Sequence, residues 1–161
     1  MKDYIVLGGG CFWGLEKLLS DLDGVTSTSV GYAGGGLKNP EYNEVKTGET
    51  GHVESVRVEF DNTLISFKDL LHFFFRVHDP TTSDRQGNDV GTQYRSVIFY
   101  NTDEQKEESQ EVISEVNAGD RFEGVVVTAV EKEREYYLAE DYHQKYIDKN
   151  PSGYTCHFIR D

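Results

Sequence analysis

The stretch Gly8-Gly9-Gly10-Cys11-Phe12-Trp13-Gly14 follows the apolar run Tyr4-Ile5-Val6-Leu7 and precedes Leu15, Leu18, Leu19 and Leu22, which recur at the spacing of one helix face. The pattern reads as a strand, a sharp glycine turn and a helix, because a run of glycines tolerates backbone angles that other residues resist. Cys11 then falls near the helix N-terminus. Unpaired amide groups there favour an anion, and thiolate is the form of cysteine that attacks sulfur, carbon or metal centres. A small buried hydrophobe is the commoner fate of a cysteine. The glycines around the segment and the two bulky aromatics beside Cys11 favour the reactive reading.

Further along, Val25 to Tyr32 leads into a loop rich in breakers, Gly34-Gly35-Gly36 and Asn39-Pro40. Val53 to Phe60 alternates from Val56 onward as a strand buried on one face, with Glu54 at its entry. Ser66 and Asp69 mark a helix start, Phe67, Leu70, Leu71 and Phe74 form the stripe behind it, and Pro80 lies beyond its end. Asp79 to Gln93 reads as an ordered loop leading into a strand over Tyr94 to Tyr100. Thr102 and Gln105 form a capping box for a helix with Val112, Ile113 and Val116 inside and a charged, solvated outer face. Val125 to Val130 is the last clear strand. The segment Tyr137 to Gln144 leads into a short helix ending near Asn150-Pro151, followed by an irregular tail. Four strands and three or four helices interleave over 161 residues, which predicts one domain over residues 1–161 of the α/β (α+β) class, a two-layer sandwich on a single sheet.

Composition narrows the function. Asp and Glu outnumber Lys and Arg by 29 to 16, and a net charge of −13 argues against nucleic acid or an anionic membrane as partner. Two cysteines, Cys11 and Cys156, exclude a disulfide-rich scaffold and a four-thiolate zinc site, yet permit one redox pair. No basic leader precedes an apolar core and no segment nears the ~20 apolar residues of a membrane span, so a cytoplasmic protein is the expectation. The glycine run invites a dinucleotide-binding reading, but Trp13 stands where the third glycine of G-x-G-x-x-G should be. His52-Val53-Glu54 matches half of a zinc deaminase signature whose P-C-x-x-C half is absent. The other histidines share no metal-ligand spacing, so neither metal nor cofactor is expected.

Taken singly, the remaining candidates have two readings. Glu54, between Val53 and Val56, is a proton donor if burial raises its pKa and otherwise an exposed strand carboxylate. Tyr32, Tyr42 and Tyr94 fit a core as well as a site. Cys156, on a glycine-containing tail, is a resolving thiol for an oxidised Cys11 or an unreactive residue near a chain end.

Five blocks in order resolve this. Gly10-Cys11-Phe12-Trp13-Gly14, Gly51-His52-Val53-Glu54-Ser55-Val56, His78-Asp79-Pro80-Thr81, Gly91-Thr92-Gln93-Tyr94-Arg95-Ser96 and Ala139-Glu140-Asp141-Tyr142-His143-Gln144 resemble the signature blocks of the peptide methionine sulfoxide reductase A family. They run from Cys11 to about residue 154. The resemblance implies a ferredoxin-like core with a mixed sheet, and reduction of the S epimer of methionine sulfoxide, free or in proteins. It implies Cys11 as nucleophile and Glu54 as the acid that protonates the sulfoxide oxygen. Tyr42 and Tyr94 match the hydroxyls that hold that oxygen, Phe12 and Trp13 the wall that receives the ε-methyl group, and Asp89 a polar residue of the pocket. It further implies a sulfenic acid on Cys11, capture of that acid by Cys156 and reset of the disulfide by thioredoxin. A monomer is the expectation.

The C-terminus departs from the pattern: Thr155 separates Cys156 from Gly153-Tyr154, and no glycine-rich tail follows. An external thiol is the alternative to Cys156. Two rival functions remain at this stage, a cysteine hydrolase with His143 or His52 as base and a non-catalytic sulfoxide-binding or redox-sensing module.

Overall fold

The computed structural model describes every residue except Tyr154, Cys156 and Asp161. Strand β1 (Lys2–Gly8) runs into helix α1 (Phe12–Ser20), which returns through β2 (Val25–Ala33). A single turn, α2 (Tyr42–Val45), precedes β3 (Val53–Asp61) and α3 (Phe67–Val77). A small ladder of β4 (Arg85–Gln86) and β5 (Asp89–Val90) follows, then β6 (Val97–Tyr100) and α4 (Asp103–Ala118). Finally come β7 (Ala129–Lys132), β8 (Tyr137–Leu138) and α5 (Tyr146–Lys149).

The main sheet has the order β7-β6-β1-β3-β2-β8. Its centre, β6-β1-β3-β2, pairs antiparallel throughout and is linked by α1 and α3 in the β-α-β-β-α-β sequence of a ferredoxin-like split βαβ. The pair β6–β7 is parallel, so the sheet is mixed. The expected sandwich and core are therefore present, with the β4–β5 ladder as an addition.

Side-chain parity explains the layers. Ile5 and Leu7 of β1, Val30 and Tyr32 of β2, and Val56, Val58 and Phe60 of β3 point to the helices and are fully buried with Phe12, Leu15, Leu19, Leu70, Leu71 and Phe74. Burial of each large apolar side chain contributes about 1.5–3 kcal/mol. The opposite parity puts Val6, Ala33, Val53, Val97 and Phe99 in a smaller cluster on the other face.

Helix starts follow their caps. The Ser66 hydroxyl accepts from Asp69 N–H at 3.0 Å, and Thr102 accepts from Gln105 N–H at 3.1 Å. The expected capping box at Thr102 is only half formed. Gln105 Oε1 accepts from Asn101 N–H instead, at 2.8 Å, and its amide donates to the Tyr4 carbonyl.

Two boundaries differ from expectation. The strand expected from Tyr94 begins at Val97, because Thr92–Tyr94 closes into a 3₁₀ turn. The strand expected over Val125–Val130 begins at Ala129, where parallel pairing with Val97 starts; Val125 and Val127 are exposed and unladdered. Tyr137–Leu138 pairs with β2, and the expected short helix follows it at Tyr146–Lys149. Among the described residues, no helix is long and apolar enough to cross a membrane.

Candidate active site

Cys11 caps α1 at the end of the glycine turn, with φ −59° and ψ 125°. Gly10 before it has φ +92°, and a Cβ there would stand 2.6 Å from the Gln86 side chain, so the turn needs glycine at this position. The Cys11 side chain is 8% exposed. Beneath the turn, the helix-facing row of β3 that carries Val56, Val58 and Phe60 ends in Glu54, only 1% exposed. Phe12 N–H, the first amide after Cys11, donates to Glu54 Oε1 at 3.2 Å.

Burial pushes the Glu54 carboxyl up to about 8, and the charge of Asp89 adds to the rise, against the lowering effect of the Phe12 amide. The helix start alone would favour carboxylate, but desolvation prevails.

Tyr42 opens α2 and Tyr94 closes the 3₁₀ turn before β6. Burial pushes Tyr42 up to about 12, and Glu54, Cys11, Tyr142 and Asp89 act on it in the same direction. Tyr94 is raised by burial and then by Glu54, Tyr42, Asp89 and Cys11. Cys11, Glu54 and Asp89 thus lie within electrostatic reach of both tyrosines, and Asp89 within reach of Glu54. Glu140 steadies the tyrosine side of the site, taking Tyr42 N–H at 3.0 Å and the Tyr32 hydroxyl at 2.8 Å.

An aromatic cluster gathers around the two residues that follow Cys11. Phe12 is fully buried against Tyr32 and His143. Trp13 is half-buried, stacks on Tyr146 at 3.8 Å and donates from Nε1 to His143 Nδ1 at 2.9 Å. His143 lies among Phe12, Trp13, Tyr42 and Tyr142. Because Nδ1 accepts from the indole, the neutral ring carries its proton on Nε2. Burial lowers its pKa.

This arrangement bears on the hydrolase reading. His143 has its acceptor nitrogen committed to Trp13, and His52 donates from Nε2 to the Leu37 carbonyl at 2.6 Å while Nδ1 accepts from Gly35 N–H. His52 holds the 34–37 loop, and neither ring is available as a base for Cys11. Among the described residues, no group of three His, Cys, Asp or Glu is placed to hold a metal ion.

Sequence reasoning did not assign Glu140 or Tyr146 to the site, and it weighed His143 as a base or as a surface or hydrogen-bonding residue. The ordered block Ala139 to Gln144 was the available signal for Glu140 and His143, and Tyr146 lies beyond it. Cys156 lies outside the described residues.

A family model described as peptide methionine sulfoxide reductase matches residues 3–161. A peptide methionine sulfoxide reductase MsrA of Trichodesmium erythraeum is 51% identical over 98% of this chain and 89% of that protein. The reduced form of Mxr1 from Saccharomyces cerevisiae superposes with a TM-score of 0.94 at 37% identity, covering 99% of this chain and 93% of that one. Methionine sulfoxide reductase A of Corynebacterium diphtheriae gives 0.86 at 40% identity over 97% and 78%. The chain belongs to the peptide methionine sulfoxide reductase family of oxidoreductases.

Proposed function

We propose that residues 1–161 act as one monomeric domain that reduces methionine (S)-sulfoxide, free or in proteins, through Cys11 and Glu54. The Cys11 thiolate attacks the sulfoxide sulfur while Glu54 gives its proton to the oxygen. The oxygen ends on Cys11 as a sulfenic acid and methionine leaves. The sulfoxide sulfur gains two electrons and the cysteine sulfur loses two, so this step needs no other oxidant or reductant.

The observation that carries this reading is the buried Glu54 bonded to the amide that follows Cys11. With its pKa pushed to about 8, it is mostly protonated at neutral pH, the state a sulfoxide oxygen requires. Tyr42 and Tyr94 keep their protons across the working range and donate to that oxygen. Trp13, backed by Phe12, receives the ε-methyl group, and Asp89 supplies a polar edge.

Cys156 is the thiol that captures the sulfenic acid to give a disulfide and water. Thioredoxin then resets the pair by exchange. Mxr1 of yeast has been solved in complex with Trx2, which supports this partner. A reducing compartment such as the cytoplasm suits the chemistry.

The test is consumption of racemic methionine sulfoxide with dithiothreitol. Consumption is expected to stop at half, and Cys11→Ser is expected to be inactive. Complete consumption would refute the epimer choice, and an active Cys11→Ser would refute the nucleophile.

A further inference from the structure

The C-terminal segment is seated on the turn that carries Cys11. His157 is 7% exposed, and its Nε2–H donates to the Gly9 carbonyl at 2.6 Å. A Cβ on Gly10 would stand 3.2 Å from His157 Nε2. On the other side of Cys11, a Cβ on Gly14 would stand 2.0 Å from Thr155 Oγ1 and 2.8 Å from His157 Nδ1. Glycine at 14 is therefore the space that Thr155 and His157 fill. His157 N–H donates to Thr155 Oγ1 at 3.1 Å, which ties the two residues together. A second clasp follows, where Arg160 N–H donates to the Arg76 carbonyl and Arg76 Nε donates to the Arg160 carbonyl, both at 2.8 Å.

Thr155 and His157 are the sequence neighbours of Cys156. We propose that His157 is a positioning residue for the second half-reaction, setting how fast the chain's own second thiol captures oxidised Cys11. The proposal rests on the reading of Cys156 as the resolving thiol. In the capture step the Cys156 sulfur attacks the sulfur of the Cys11 sulfenic acid, an S–S bond forms, the S–O bond breaks, and hydroxide takes the thiol proton and leaves as water. Both sulfurs belong to one chain, so the rate is governed by the effective concentration of one at the other. A bond from the neighbour of one cysteine to the backbone two residues before the other raises that concentration. The first half-reaction draws on Cys11, Glu54, Tyr42 and Tyr94, and the His157 ring is not one of those groups.

Two variants separate this role from a general structural one. His157→Phe keeps a ring of similar bulk and removes the donor, and His157→Gln retains a donor. Enzyme is mixed with methionine sulfoxide without reductant, and two readouts are followed: methionine released in the first turnover, and loss of dimedone-reactive sulfenic acid as the disulfide forms. For His157→Phe the first-turnover rate is expected to stay within about twofold of the parent while capture slows by about tenfold or more, the size expected when a tether to the partner group is lost. His157→Gln is expected to recover most of the capture rate. Gly14→Ala, which pushes Thr155 off its seat from the opposite side, is expected to slow capture as well.

Equal slowing of both readouts in His157→Phe would overturn the proposal, as would an unchanged capture rate. Cys156→Ser distinguishes the two levels of failure. Persistent sulfenic acid in that variant, together with unchanged capture in His157→Phe, would sink the role of His157 alone. Undiminished thioredoxin-supported cycling in Cys156→Ser would sink the resolving role of Cys156 and this proposal with it.

Discussion

Two glutamates are buried to the same degree, Glu16 on α1 and Glu54 on β3, each 1% exposed, yet their surroundings are opposite. Glu16 accepts from the Thr28 hydroxyl at 3.0 Å and from Lys145 N–H at 2.9 Å, and the Lys145 ammonium lies 3.4 Å from its second oxygen. Among the described residues, Glu54 takes one long bond from an amide and the repulsion of Asp89. A buried carboxylate surrounded by donors and a cation has its oxygens partnered and ties elements together. A buried carboxyl without a cation is held neutral and can give up its proton. Burial by itself therefore says little about function, and the partners decide.

The largest expected effect that would break this contrast is on rate. Glu54→Gln should lower the first-turnover rate of sulfoxide reduction by roughly 10²–10⁴, the range for a lost general acid, whereas Glu16→Gln should leave that rate nearly unchanged. Rapid-quench measurement of methionine release checks both. Next in size, Tyr42→Phe and Tyr94→Phe should each slow the same step by roughly 10–10², because each removes one donor to the developing oxygen charge.

For stability the order reverses. Glu16→Gln should lose about 1–3 kcal/mol in urea unfolding, since hydrogen bonds to a buried charge are weakened, and Glu54→Gln should lose little or gain. A further effect concerns pH. The folded-state pKa of Glu54 lies above its unfolded value, so its contribution is fully present below about 4.5, falls as pH rises, and is lost through about 8. The slope is at most about 1.4 kcal/mol per pH unit, and stability curves of Glu54→Gln should lack it. His78 and His157, lowered by burial to about 3 and about 4, act with the opposite sign. Their contribution is present above the unfolded histidine pKa near 6.5 and is lost as pH falls towards 4.

Part of this contrast was legible in the chain. Glu54 shares the even-numbered row with Val56, Val58 and Phe60, and two-residue periodicity is enough to turn it toward the helices. The glycine turn at Cys11 was legible because few other residues fit a positive φ there. Strand order was not, since it depends on pairings between residues far apart in sequence, such as Tyr32 with Glu54. Val125 and Val127 misled because β-propensity reports a fit to a half-buried surface, and no neighbouring strand offers them one. The place of His143 was hidden for a related reason. Its partners Trp13 and Tyr42 lie about a hundred residues or more away, and its own segment gives no sign of them.

The claim that Glu54 is held neutral to supply a proton is tested most directly by the ratio of first-turnover rates, parent to Glu54→Gln, as a function of pH. Below about 8 the ratio cancels the ionisation of Cys11, because the protonated carboxyl and the amide are both uncharged. It should be large and level near neutrality and fall as pH rises through about 8, where Glu54 loses its proton. A ratio near one, or a large ratio that does not change between pH 6 and about 9.5, a span that brackets the expected pKa, would contradict the account.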